Sequence, residues 1–161
     1  MYILIAGGGK VGYHLAEELL NENHEVLVIE QDGGRAMQIR DELGGNVLTG
    51  DACEATTLDL GGISRADLVA AVTGDDEDNL VICDIARYRG VGRTIARINN
   101  PRNELLFRKR GIETTISATQ AVLAQIEQEL PTQMMIPLLQ LHSGLELVEI
   151  KLPETSPVAG R

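Results

Sequence analysis

Two textures alternate along the chain. Short apolar runs rich in Val and Ile fall at 2–6, 25–29, 46–49, 67–72, 94–98 and 112–116. Between them apolar positions recur at helical spacing, over 11–22, 33–43, 54–60, 77–89 and 101–110, with a longer stretch over 118–130. Runs this short, with so few polar positions, suit strands covered on both faces of a parallel sheet. Strand and helix alternating in this way predict a doubly wound α/β domain.

The texture changes after Leu130-Pro131. Proline closes the last helical stretch, and an apolar run, Ile136 to Leu141, follows. Then Leu145 to Leu152 alternates apolar and polar positions, as a half-buried strand does. A segment this short cannot build its own core. The expected organisation is therefore one domain over 1–133 and an incomplete second domain over 134–161.

Composition narrows the function. The chain has 161 residues and a net charge of −10, which argues against nucleic acid or an anionic membrane surface as partner. Aromatic residues make up 2% and Trp is absent, so a stacking platform for single strands is not expected. No apolar stretch reaches the length of a membrane span, and the first residues read as a strand rather than a signal peptide. A cytoplasmic protein without direct membrane insertion is expected. Cys53 and Cys83 have neither CxxC nor metal-ligand spacing, so each reads as a small apolar side chain in a reducing compartment.

The chemistry begins at the first strand–helix turn, Gly7-Gly8-Gly9-Lys10-Val11-Gly12, which is Gly-x-Gly-x-x-Gly. Gly7 allows the tight turn, Gly9 lets a pyrophosphate approach the backbone, and Gly12 lets the helix pack closely on the strand. The helix N-terminus offers free N–H groups and the positive end of its dipole. The second strand ends on Glu30, which supplies the other half of a dinucleotide fingerprint. Glu30 would accept from the ribose hydroxyls and repel a 2′-phosphate, disfavouring NADP. Placed on the first turn, the fingerprint implies strand order 3-2-1-4-5-6, with the ligand across the carboxyl ends of strands 1 and 4.

The other strand ends supply further candidates. Asp51, after Thr49-Gly50, suits either an adenine contact or a cap on the next helix. Thr73 and Gly74 would lie beside the phosphates or the distal half of a ligand. The acidic run Asp75 to Asp78 suits a helix N-terminus, although Asp75 and Asp76 fit poorly beside phosphate. Arg97 would pair with phosphate or with that acidic run, and Lys10 is placed to reach a pyrophosphate. Catalytic groups are scarce. There is no Tyr-x-x-x-Lys pair, and His14, His24 and His142 have no carboxylate at a spacing that suggests a metal site or an activated nucleophile.

Taken together, Gly-Gly-Gly-Lys-Val-Gly, Glu30, Gly50-Asp51-Ala52, Thr73-Gly74-Asp75-Asp76-Glu77-Asp78-Asn79-Leu80 and Ala96-Arg97-Ile98-Asn99-Asn100-Pro101 resemble the nucleotide-binding N-terminal domain of the Trk/Ktr type of K+ uptake regulator, the RCK domain. The resemblance covers about 1–130. It implies a cytoplasmic, non-catalytic subunit that binds NAD(H) or ATP/ADP. As homodimers assembled into a ring, it would gate a membrane-embedded K+ transporter or channel. By position, Gly7, Gly9, Lys10, Val11 and Gly12 would hold phosphates and Glu30 the ribose. Asp51 and Ala52 would lie by the adenine, Thr73 and Gly74 by the distal part, and Arg97 near phosphate across the site. Lys10 stands where several relatives carry Arg. The tail resembles the start of that family's C-terminal domain, broken off before its end, which implies a fragment. The alternative is a small NAD-dependent oxidoreductase, or the nucleotide domain of one.

Overall fold

Strand β1 (Tyr2–Ala6) is buried at all five positions, and its alternating side chains feed two separate cores. Ile3 and Ile5 point to one face of the sheet, where they join Val26, Val28, Ala36 and Ile39. Leu4 and Ala6 point to the other, where they join Ile29, Leu58, Val69, Ile82 and Phe107. A strand buried on both faces needs apolar residues at every position, which is why the run shows no polar alternation.

This computed structural model describes residues 1–112 and 114–129 throughout, and strands 135–140 and 146–150 by their backbone. After β1 come α1 (Lys10–Asn21), β2 (Glu25–Glu30), α2 (Gly33–Leu43), β3 (Val47–Thr49), α3 (Ala55–Leu60), β4 (Leu68–Ala71) and α4 (Asp76–Tyr88). Then follow β5 (Thr94–Ile98), α5 (Glu104–Lys109), β6 (Thr114–Ser117) and α6 (Ala118–Glu129). The six strands form one parallel sheet in the order β3-β2-β1-β4-β5-β6, as the fingerprint implied. The expected helix over 101–110 is divided: Pro101–Asn103 is a 3₁₀ turn, and α5 proper starts at Glu104.

Register sets the site. Ala6 lies opposite Ile29 on one side and Ala71 on the other, so β1, β2 and β4 end level. The chain leaves β1 toward α1 and β4 toward α4, and the order reverses between these two strands. That reversal opens a crevice at their carboxyl ends.

Two compact units divide the chain, 1–119 and 120–161. In the second, β7 (Met135–Gln140) and β8 (Glu146–Ile150) pair antiparallel, with an irregularity between Pro137 and Leu139. The apolar tail positions singled out by sequence, Ile136 to Leu141, and the half-burial of the last run lie outside the described side chains, as does His142.

Candidate functional site

The crevice between β1 and β4 is a cleft of about 390 Å³. Gly7, Gly9, Glu30, Asp51, Ala52, Thr73, Gly74 and Arg97 all line it. The strand ends therefore bring together eight of the residues proposed from sequence.

The glycine loop leads from β1 into α1. Gly7 has φ +103°, a conformation that side chains rarely adopt, and its N–H bonds to Ile29 O at 2.9 Å. A Cβ on Gly12 would lie 1.9 Å from Gly7 O, so only glycine lets the helix sit this close to the strand end. Gly9 differs. Its nearest neighbour to an added Cβ is Arg35 Nη1 at 3.8 Å, and its open side faces the cleft. Gly9 is also the N-cap of α1, with no side-chain cap and no acidic residue in the first turn. In contrast, α2 is capped by Asp32 and α4 by Asp75. The N-terminus of α1 thus presents N–H groups that no side chain caps.

Glu30 is 8% exposed, and both its oxygens are engaged. Gly8 N–H donates to Oε2 and Asp32 N–H to Oε1, each at 2.8 Å. A carboxylate offers about four acceptor positions, so two remain for a ligand. These bonds hold the carboxylate against the glycine loop. Gly8, passed over as a variable position in the motif, takes part in this packing. A Cβ there would lie 2.5 Å from Ile39 Cδ1 and 2.9 Å from Glu30 Oε2.

Across the cleft the acidic run after β4 has separate tasks. Asp75 caps α4, accepting from Glu77 N at 2.9 Å and Asp78 N at 3.3 Å. Asp76 turns away and is 7% exposed. It accepts from Asn99 N (2.6 Å), Asn99 Nδ2 (3.0 Å), Asn100 N (3.0 Å) and Asn103 Nδ2 (2.7 Å). Burial alone would raise its pKa, but these donors outweigh burial and hold it below the ordinary carboxylate range. The poor fit of Asp76 beside phosphate is thereby resolved: it fastens α4 to the segment after β5. Asn79, fully buried, completes the fastening. It accepts from Thr73 N at 2.9 Å and donates to Arg97 O at 2.9 Å.

Arg97 forms no ion pair with the acidic run; its Nε is buried and has no hydrogen-bond partner among the described residues. Asp51 Oδ1 accepts from Cys53 N at 2.8 Å, while α3 takes Glu54 as its N-cap. Asp51 therefore closes the turn ahead of the helix instead of capping it. The Cys53 thiol, also on the cleft wall, is pushed up to about 12 by burial and then by Asp78 and Asp51, so it stays protonated near neutrality.

Three proposed residues lie off the cleft wall. Lys10 lines a neighbouring cleft of about 210 Å³ with Gly8, Tyr13, His14 and Gln38. Val11 is 43% exposed and lines neither cleft, and Gly12 is buried under the loop. One residue of both clefts was missed: Arg35, in the first turn of α2. Its signal was a basic residue three positions after the N-cap Asp32, just past the carboxyl end of β2.

The sequence matches the family model of the TrkA-N domain over residues 3–118. It is similar to the Trk system potassium uptake protein TrkA homolog of Methanothermobacter thermautotrophicus, with 33% identity over 162 residues that span all of this chain and 74% of the relative. The fold is similar to that of the GsuK channel bound to NAD, with a TM-score of 0.77 and 21% identity, over 91% of this chain and 27% of that one. It is likewise similar to the Kef C-terminal domain of Shewanella denitrificans in an AMP-bound form, with a TM-score of 0.70 and 19% identity, over 80% of this chain and 79% of that one.

Proposed function

The chain belongs to the TrkA-N domain family, and from that membership we propose that it is a nucleotide-sensing regulatory subunit of a K+ transport system. The observation that carries this reading is the pairing of Glu30 with the uncapped N-terminus of α1 on one cleft. Glu30 retains acceptor positions for ribose hydroxyls, and the helix end retains donors for phosphate. In this reading the ligand is NAD(H) or ATP/ADP, both of which share the adenosine phosphate that these groups recognise. Gly7, Gly9, Lys10, Val11 and Gly12 form or support the phosphate cradle, and Asp51 and Ala52 lie by the adenine. Thr73, Gly74 and Arg97 take the distal part.

The subunit works by binding rather than by turnover. No His, Tyr or Lys lines the cleft, and its one thiol is held protonated. Bound nucleotide would instead alter how copies of the chain pack, first as homodimers and then as a ring beneath a membrane-embedded K+ transporter or channel, on its cytoplasmic side. Residues 134–161 would begin the second domain. Among the described residues no helix is long and apolar enough to cross a membrane.

Calorimetry against NAD+, NADH, ATP, ADP and AMP on one preparation tests the reading. Binding of at least one, with no change in nicotinamide absorbance on adding simple carbonyl substrates, is expected. Steady oxidation of NADH would favour the oxidoreductase alternative, and no binding by any of the five would overturn the proposal.

A further inference from the structure

Four arginines of this acidic chain are paired with carboxylates: Arg65 with Glu25, Arg89 with Asp59, Arg108 with Glu104 and Arg110 with Asp84. Arg35 is not. Its guanidinium makes no hydrogen bond or ion pair among the described residues, although acidic groups lie close by in sequence. Those acids hold backbone N–H groups and do not pair with it. Glu30 accepts from Gly8 N and Asp32 N, and Asp32 Oδ1 accepts from the backbone N–H of Arg35 itself at 2.7 Å. The Arg35 backbone is thereby fixed in the first turn of α2, and its side chain reaches back over the glycine loop. Nη1 comes within 3.8 Å of the position a Gly9 Cβ would take. Arg35 and Gly9 both line the main cleft and the smaller one beside it, so together they stand on the ridge between the two.

An unpaired guanidinium beside an uncapped helix N-terminus is a two-sided seat for one anion. The helix offers N–H groups and its dipole, and the arginine offers a planar fork of donors. Lys10, the cation named by the motif, lines only the outer cleft. Resting on the nucleotide reading above, we propose that Arg35 is the specificity-determining residue that makes this cleft demand a phosphoryl group at the ribose 5′ position. It closes over that phosphate from the α2 side while the N-terminus of α1 meets it from the other. Arg97, on β5 across the same cleft, is left to the distal end.

The test compares adenosine with AMP, ADP and NAD+ by calorimetry, on the wild type, Arg35→Gln and Arg35→Lys. Arg35 is exposed, so both variants should melt with the wild type. In the wild type AMP should bind at least tenfold more tightly than adenosine. Arg35→Gln should lose about tenfold or more for AMP, ADP and NAD+ and leave adenosine unchanged, since hydrogen bonds to charged groups carry energies of that order. Arg35→Lys should recover part of the loss, and added salt should weaken AMP binding less in Arg35→Gln than in the wild type. Equal losses for adenosine and AMP in Arg35→Gln would show a role in pocket shape and overturn the proposal, as would no loss at all. The wild-type measurements stand apart: a wild type that binds none of these ligands fails the nucleotide reading itself.

Discussion

Two backbone amides already bind the Glu30 carboxylate, and its remaining acceptor positions are what a ribose would use. Glu30→Gln keeps the size but removes the charge and half of the acceptor capacity. Affinity for NAD+ measured by calorimetry should fall about tenfold or more, from the ~1.5–3 kcal/mol of a charge-assisted bond. Unchanged affinity would remove Glu30 from the site. The glycines separate by what surrounds them. At Gly12 a methyl meets a backbone carbonyl at 1.9 Å, which cannot yield without shifting α1 or β1. At Gly9 a methyl meets only the end of the Arg35 side chain. Thermal melts of the apo proteins should show Gly12→Ala destabilised by at least ~1–3 kcal/mol, as overpacking does. Gly9→Ala should melt near the wild type and lose nucleotide binding. A lower melt for Gly9→Ala than for Gly12→Ala would reverse the two roles.

Between elements, the joint that matters runs from α4 to the end of β5. Asp76 receives four N–H donors from Asn99, Asn100 and Asn103, and Asn79 ties Thr73 to the Arg97 carbonyl. Thr73 and Arg97 therefore hold their places on the cleft through residues that do not line it. Because the Asp76 pKa is depressed in the folded state, its contribution is fully present above the unfolded value of about 3.9. It is lost as pH falls through the lower folded value. Asp76→Asn should cost about 1–3 kcal/mol at neutral pH by leaving buried donors unmatched. Its stability should also fall less steeply than the wild type's below about pH 4. Parallel acid-unfolding curves for the two proteins would count against this account. None of this joint was legible in the sequence. Asp76 read as an acid at a helix N-terminus that fitted poorly beside phosphate, because local pattern shows the dipole and not the asparagines over twenty positions away. The six strands and their order were legible for the opposite reason. Doubly buried strands are apolar throughout, and the Gly7-to-Gly12 motif with Glu30 fixes where the order reverses. Arg35 fell between these cases, since it needs the third dimension to bring the start of α2 over the glycine loop.

For the whole molecule, the proposed assembly would rest on α6. Val122, Leu123 and Ile126 are 59%, 50% and 52% exposed, and positions 122, 123 and 126 share one face at helical spacing. Grouped apolar exposure of this kind marks an interface. In the proposed regulatory reading a second copy covers it. Light scattering at micromolar concentration should give a dimer, and Val122→Glu should shift it toward monomer with nucleotide affinity retained. A monomeric wild type would overturn this expectation.

One feature of the cleft bears on how the fold trades robustness for use. The first turn of α1 lacks the acidic cap that α2 and α4 possess. An aspartate at position 9 would satisfy a free N–H and neutralise the helix end, a gain of about 1 kcal/mol. It would also place a fixed negative charge where the proposed phosphate would sit. The fold thus carries a small standing instability at this turn, and natural selection could remove it only by giving up the uncapped N–H groups.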